Sequence, residues 1–316
     1  LIGFLVKRLG LMALTALVLT FVVFALTNLE PNLEKLAKEQ NFSRMSDEQV
    51  ASWLEKEGYN RPLVNRYAEW VIQAGSGDLG QSTRFREPVA SILGPRLWLT
   101  AKLMFWVMIV MVPCALALGV LAGMREGSRT DRTLSTVAIA STATPEYVSG
   151  VILVTIFASS AVGLKWLKGS ATSAAENITF ENFALPVATM ALYGMGYIAR
   201  MTRASMAEVM TAQYIRTARL KGVSFPRIVV GHALRNALIA PFTVIMLQFP
   251  WLLTGVVIVE TLFNYKGFGW LLVEAASNND IELLLSCSVV AVVVVLATQL
   301  ISDIGYVFLN PRIRVR

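Results

Sequence analysis

The chain has 316 residues, 55% of them hydrophobic and only 16% charged, with a formal net charge of +7. A soluble domain is ordinarily about 45–50% apolar and about 25% charged, so the balance points to a membrane protein. The excess of basic residues does not call for nucleic acid, because they cluster in short stretches beside apolar runs of lipid-spanning length.

A bilayer core about 30 Å thick takes about 20 apolar residues in a helix, and six stretches qualify. The first covers residues 9–29, with Lys7 and Arg8 just ahead of it. This span can itself direct the chain to the membrane, so no cleaved signal is needed. The chain begins at Leu1 rather than Met, and a short trimmed stretch ahead of it is expected.

Residues 30–97 form a polar module. Ser46-Asp-Glu-Gln49 has the capping-box spacing that opens a short helix, with Gly58 as its stop. Arg61-Pro62 opens a second helix with Leu63, Tyr67, Trp70 and Val71 on one face, ending near Gly75. An amphipathic pair of this size makes no stable domain alone. It must pack on the membrane core or on a partner.

The second span covers 98–123, with Lys102 near its outer end, where the side chain can snorkel to the interface. Gly119 and Gly123 make a GxxxG pair within it, suited to close helix packing. The third span, 132–162, contains Pro145 and Glu146. The fourth covers 183–199, the fifth 237–259, and the sixth 283–308 with Asp303 near its end. Cys114 and Cys287 fall inside spans and read as small buried hydrophobes, with neither disulfide nor metal-ligand spacing. Basic residues concentrate on one side: Lys7 and Arg8; Arg125, Arg129 and Arg132; Arg200 to Arg235; and Arg312, Arg314 and Arg316. That side is expected to be cytoplasmic, with both chain termini there.

The segment between the fourth and fifth spans, 201–236, is too polar to cross lipid and too regular for a passive linker. Residues 207–221 hold no Gly or Pro and favour a helix. Gly222 stands where that helix would end in the left-handed conformation. Ser224 and Pro226 suit the start of a second short helix. The expected product is a short helix on the membrane surface, able to dock into a soluble partner and pass motion to the spans on either side.

This segment resembles the "EAA" coupling loop of permease subunits of binding-protein-dependent ABC importers. Arg216, Thr217 and Ala218 stand at the three letters of that motif and Gly222 at its glycine. Tyr214-Ile-Arg-Thr-Ala-Arg-Leu-Lys-Gly222 and His232-Ala-Leu-Arg-Asn-Ala-Leu-Ile-Ala-Pro241 are similar to the dipeptide, oligopeptide and nickel branch. So are Lys7-Arg8-Leu9, Arg61-Pro62-Leu63, Gly77-Asp-Leu-Gly-Gln-Ser82, Pro88-Val89, Arg96-Leu97, Gly267-Phe-Gly-Trp-Leu-Leu-Val-Glu274 and Asn310-Pro-Arg-Ile-Arg314. The long first outside loop is similar to the B-type subunit of the pair.

The resemblance implies an all-α fold of the type I ABC importer permease, with six transmembrane helices and a small periplasmic helical module, in the bacterial inner membrane. It divides the chain into 1–29, the 30–97 module, and a 98–316 core carrying the coupling loop. It implies three kinds of partner: a second, C-type permease subunit, two ABC ATPase subunits, and a periplasmic or lipid-anchored solute-binding protein. The cargo would be a peptide or similar small polar solute. The chain would bind no cofactor, metal or nucleic acid and perform no catalysis, with ATP and magnesium on the partner ATPases. No G-x-x-x-x-G-K-[ST] loop occurs in the sequence, in keeping with a motor on another chain.

Tyr214, Arg216, Thr217, Ala218, Arg219, Lys221 and Gly222 are the expected ATPase-coupling residues. The basic ones read equally as topology markers or head-group contacts. A carboxylate at membrane depth is costly and marks a functional position, so Glu146 is a candidate for the translocation path. Its competing reading is a polar partner or a kink that lifts it into water. Tyr193 and Tyr197 follow helical spacing with Met190 and Met201; they read as packing and, second, as path-lining. Trp70 and Asp78 are candidates for binding-protein docking. Asp303 is expected to pair with an arginine, and His232, alone in a basic loop, to hold no metal. The rival classes are a self-sufficient secondary transporter, which calls for inverted repeats and broken helices around a midplane ion site, and a membrane-embedded enzyme. The sequence carries no internal repeat and no catalytic constellation.

Overall fold

The computed structural model describes residues 2–40, 45–160 and 164–309. The regular elements among them are helices: α1 (Ile2–Thr27), α2 (Glu30–Gln40), α3 (Asp47–Lys56), α4 (Leu63–Gly75), α5 (Val89–Gly123), α6 (Arg129–Ala143) and α7 (Glu146–Phe157). After them come α8 (Phe180–Met210), α9 (Gln213–Leu220), α10 (Phe225–Ile228), α11 (Leu234–Ala237), α12 (Ile239–Leu262), α13 (Phe268–Ser277) and α14 (Ile281–Leu309). The C-terminal residues 310–316, with Arg312, Arg314 and Arg316, lie outside the described residues, as does the expected end of the third span at Val162.

Three helices, α1, α5 and α14, are long and apolar enough to cross a membrane singly, and two bent pairs bring the number to as many as five. The remaining expected span, the fourth at 183–199, is α8. It has the length, but its polar and small residues keep its composition short of the others. Asn182, Thr189, Gly194, Gly196 and Thr202 are buried against neighbouring helices, so lipid does not have to solvate them. The architecture is all-α and polytopic.

The third span departs from the expected single helix. α6 and α7 meet at 106°. The ring of Pro145 disfavours helical backbone at the preceding residue, and Thr144 is extended, with φ −91° and ψ 121°.

The helices fall into two compact units: the described residues up to Thr100 with Lys266–Ala297, and those of Ala101–Tyr265 with residues 298–309. In the first, the polar module holds three helices rather than the expected pair, since α2 precedes the other two. The expected local signals hold. Ser46 and Gln49 form the capping box of α3, Gly58 is left-handed at φ +77°, and α4 runs from Leu63 to Gly75. Leu33, Leu36, Val50, Leu54 and Trp70 bury against Phe24 of α1 and Ile281 and Leu285 of α14. The Tyr67 hydroxyl donates to the Leu17 carbonyl at 2.9 Å. The module therefore gains its core from two membrane helices of its own unit. Burial there pushes the Tyr59 hydroxyl up and the Arg66 guanidinium down from their ordinary pKa values, and the two stack at 4.7 Å.

In the second unit α8 is the hub, with α6, α7, α11 and α12 packed along it. The GxxxG pair of α5 faces it too. A Cβ at Gly119 would lie 2.6 Å from the Ala199 carbonyl oxygen, and one at Gly123 would lie 2.7 Å from the Met206 Cβ. Only glycine permits that approach of two helix backbones.

Candidate functional site

α8 stops at Met210, and Thr211 and Ala212 turn the chain into α9. The expected helix over 207–221 is thus two: the end of α8 and the eight-residue α9. Ile215 and Ala218, three apart and so on one face, are buried with Met206 and Met210 of α8 and with Ile228, Val229, Ala233 and Ala237 beyond. That apolar grip holds α9 against the chain. The opposite face is open: Tyr214, Arg216, Thr217, Arg219 and Lys221 are exposed, and Leu220 is 82% exposed.

The C-terminal end of α9 is a Schellman turn. Gly222 is left-handed at φ +76°. The Val223 N–H donates to the Ala218 carbonyl at 3.2 Å and the Gly222 N–H to the Arg219 carbonyl at 3.0 Å. Val223 packs against the cluster that holds Ala218. Ser224 stands at the N-cap of α10, as its position suggested, but its side chain makes no capping hydrogen bond. Residues Val229–Ala233 form a π turn before α11. The Tyr214 hydroxyl accepts from Asn236 Nδ2 at 2.9 Å, tying the start of α9 to α11.

Ala218 is among the residues expected to couple to an ATPase. Its side chain instead faces the chain's own core. The large outward apolar side chain is Leu220, which the motif comparison passed over because it stands between the motif's letters. Val230, 68% exposed, was missed likewise.

The candidate path residues stand apart from this surface in the chain. Glu146 opens the first turn of α7, directly after the bend, where free helix N–H groups favour a carboxylate. Its Oε2 is buried with no hydrogen-bond partner among the described residues. Tyr193 stacks on Trp251 at 5.0 Å between ring centres. Tyr197 is 46% exposed and lies under the Arg200 guanidinium at 5.9 Å. No hydrogen bond among the described residues joins Glu146 to either tyrosine.

In the first unit, Trp70 is only 9% exposed and belongs to the module's own core, so it does not offer its ring to a docking protein. Asp78 is exposed, and its Oδ1 accepts from the Gly80 N–H at 3.0 Å, shaping the turn. Asp303 is half-buried in α14 and His232 is exposed. No group of three His, Cys, Asp or Glu side chains able to hold a metal occurs among the described residues.

A pair that sequence reasoning missed is Asp131 and Arg203. The guanidinium grips the carboxylate through Nε and Nη2 at 2.9 and 2.7 Å. Ser128-x-x-Asp131 carries a visible helix-start signal, and the Ser128 hydroxyl does accept from the Asp131 N–H at 3.1 Å. Arg203 reads in the sequence as one topology marker among many.

Residues 115–315 match the family described as "Binding-protein-dependent transport system inner membrane component". The chain is 34% identical over 272 residues to a "Probable peptide ABC transporter permease protein" of Sinorhizobium fredii, covering 85% of this chain and 86% of the relative. It is 33% identical over 276 residues to a glutathione transport system permease protein of Escherichia coli, covering 86% of each. It is 32% identical over 338 aligned positions to a di/tripeptide transport system permease protein of Pseudomonas aeruginosa, covering 99% of each.

Proposed function

We infer, from the chain's membership of the family of binding-protein-dependent transport system inner membrane components, the part it plays as a permease subunit of an ABC importer. It forms half of the passage for a peptide or similar small polar solute, and a second, C-type permease supplies the other half. Two separate ATPase subunits drive the cycle and carry ATP and magnesium. A solute-binding protein outside the membrane delivers the cargo.

The observation that carries this reading is the division of α9. One face, Ile215 and Ala218, is buried in the chain, while Leu220, Tyr214 and four basic or polar neighbours face outward. A large exposed apolar side chain ringed by cations fits a groove with acidic rims on a soluble partner. The cationic surroundings support a cytoplasmic position for this face, and both chain termini would then lie on the same side. Closure of two ATPases on nucleotide then draws the α9 elements of the two permeases together and biases the spans between inward-open and outward-open states.

Reconstitution in vesicles tests the reading. With the second permease, the ATPases and the binding protein present, solute uptake requires hydrolysable ATP on the side facing α9. Uptake by this chain without ATPase subunits, driven by an ion gradient, would favour a secondary transporter instead.

A further inference from the structure

Asp131 is 3% exposed, and both of its oxygens are fully engaged. Oδ1 accepts from Arg203 Nε at 2.9 Å and from the Ser135 hydroxyl at 3.1 Å. Oδ2 accepts from Arg203 Nη2 at 2.7 Å and from the Gly127 N–H at 2.9 Å. Glu126 adds a looser contact to Arg203 at 3.4 Å. The Arg203 side chain remains 30% exposed, and a pair of a buried carboxylate with a part-exposed guanidinium is a poor way to gain stability, since the gain is offset by desolvation and screened by solvent. What a bidentate guanidinium–carboxylate pair supplies is a fixed direction between two elements.

The elements it joins are telling. Arg203 lies on α8 one turn before Met206, which with Met210 packs on Ile215 and Ala218 of α9. Asp131 lies in the first turn of α6, which bends at Pro145 into α7 and Glu146. Beside the pair, a half-open cleft of about 10 Å³ lined by Gly119, Ser135 and Arg203 leaves room for at most about one water. A Cβ at Gly123 of α5 would lie 2.5 Å from the Arg203 carbonyl oxygen, so the two helix backbones meet there without intervening side chains. There is little slack for α8 to slide past α5 and α6.

We propose that Asp131 and Arg203 are positioning residues for coupled transport: a strut that passes displacement of α9 through the end of α8 to α6 and the bent α6–α7 crossing. This rests on the reading of α9 as the ATPase contact. Without the pair, α9 still docks and hydrolysis still proceeds, but its motion dissipates in the α8 end instead of reaching the spans.

The test uses the complete importer in vesicles, comparing the native chain with Asp131→Asn, Arg203→Gln, Arg203→Lys and the Asp131→Asn/Arg203→Gln double variant. Two quantities are read: solute imported per ATP hydrolysed, and photo-cross-linking of position 220 to an ATPase subunit. Each neutral single variant is expected to lower the transport ratio about tenfold, a typical inter-site coupling. The double variant falls no further than the singles, because both act through one interaction. Arg203→Lys keeps the charge without the fork and falls between native and neutral; it decides the matter if the neutral variants do not assemble. Cross-linking from position 220 persists throughout. A ratio within about twofold of native in these variants, or losses that simply add in the double variant, overturns the strut while leaving the α9 contact standing. Absence of the cross-link in the native importer removes both.

Discussion

Replacement of Gly222 separates backbone conformation from side-chain volume. Its φ is +76°, and a Cβ there would meet no heavy atom within 4 Å. Crowding therefore contributes nothing, and conformation contributes everything. An L-residue held in this left-handed region costs about 1–2 kcal/mol, with Asn tolerated best and β-branched residues worst. The chain could escape the strain by unwinding the last turn of α9. That forfeits the Val223-to-Ala218 and Gly222-to-Arg219 hydrogen bonds, at about 1 kcal/mol each. Either route costs about the same, so Gly222→Ala should lower the population of the ordered α9 end by about 5–30-fold relative to its open form. Coupled uptake in vesicles should rank Gly, Asn, Ala, Val, although Asn is larger than Ala. Hydrogen exchange at 221–223 should rise in the inverse order. A ranking by volume, with Asn below Ala, or a Val variant equal to native, would refute the argument.

Trp70→Ala should open the polar module. Loss of a buried Trp costs about 3–5 kcal/mol, and the ring packs on Phe24 at 6.0 Å; limited proteolysis should then cut within 45–75, and unchanged resistance would contradict the burial of Trp70. Gly123→Leu should overpack the contact of α5 with α8 at a cost of about 1–3 kcal/mol, read as a lower Tm of the detergent-solubilised complex; an unchanged Tm would contradict the close approach. In the Asp131 and Arg203 series, loss of transport per ATP should appear without loss of the ATPase from the purified complex.

Much of the fold was legible wherever the signal was local. The capping box at Ser46 and Gln49, the left-handed stops at Gly58 and Gly222, and the glycine pair at 119 and 123 each declare themselves within a few residues. The long apolar helices α1, α5 and α14 follow from hydropathy alone. What was not legible depends on distant partners. Pro145 announced a break but not a bend of 106°, which is set by what α6 and α7 each pack against. α8 is a poor span by composition because its polar residues are covered by other helices. Amphipathic α2 and apolar α13 carry no strong start signal and are defined by burial against their unit. In the candidate site, the turn chemistry of α9 was readable, but its orientation was not. Helical spacing groups Ile215 with Ala218 without saying whether that face turns inward or toward a partner. The Asp131–Arg203 pair joins residues 72 apart, beyond the reach of any pattern in one sequence.

The central claim is that the outward face of α9 meets a separate, nucleotide-driven subunit in the cytoplasm. A photo-reactive residue at position 220, with one at the fully buried position 215 as control, tests it in the assembled importer. Cross-linking of 220 to the ATPase, altered by nucleotide and absent from 215, is the predicted result. Cross-linking of 220 to lipid alone, or to the binding protein on the far side, would contradict the account.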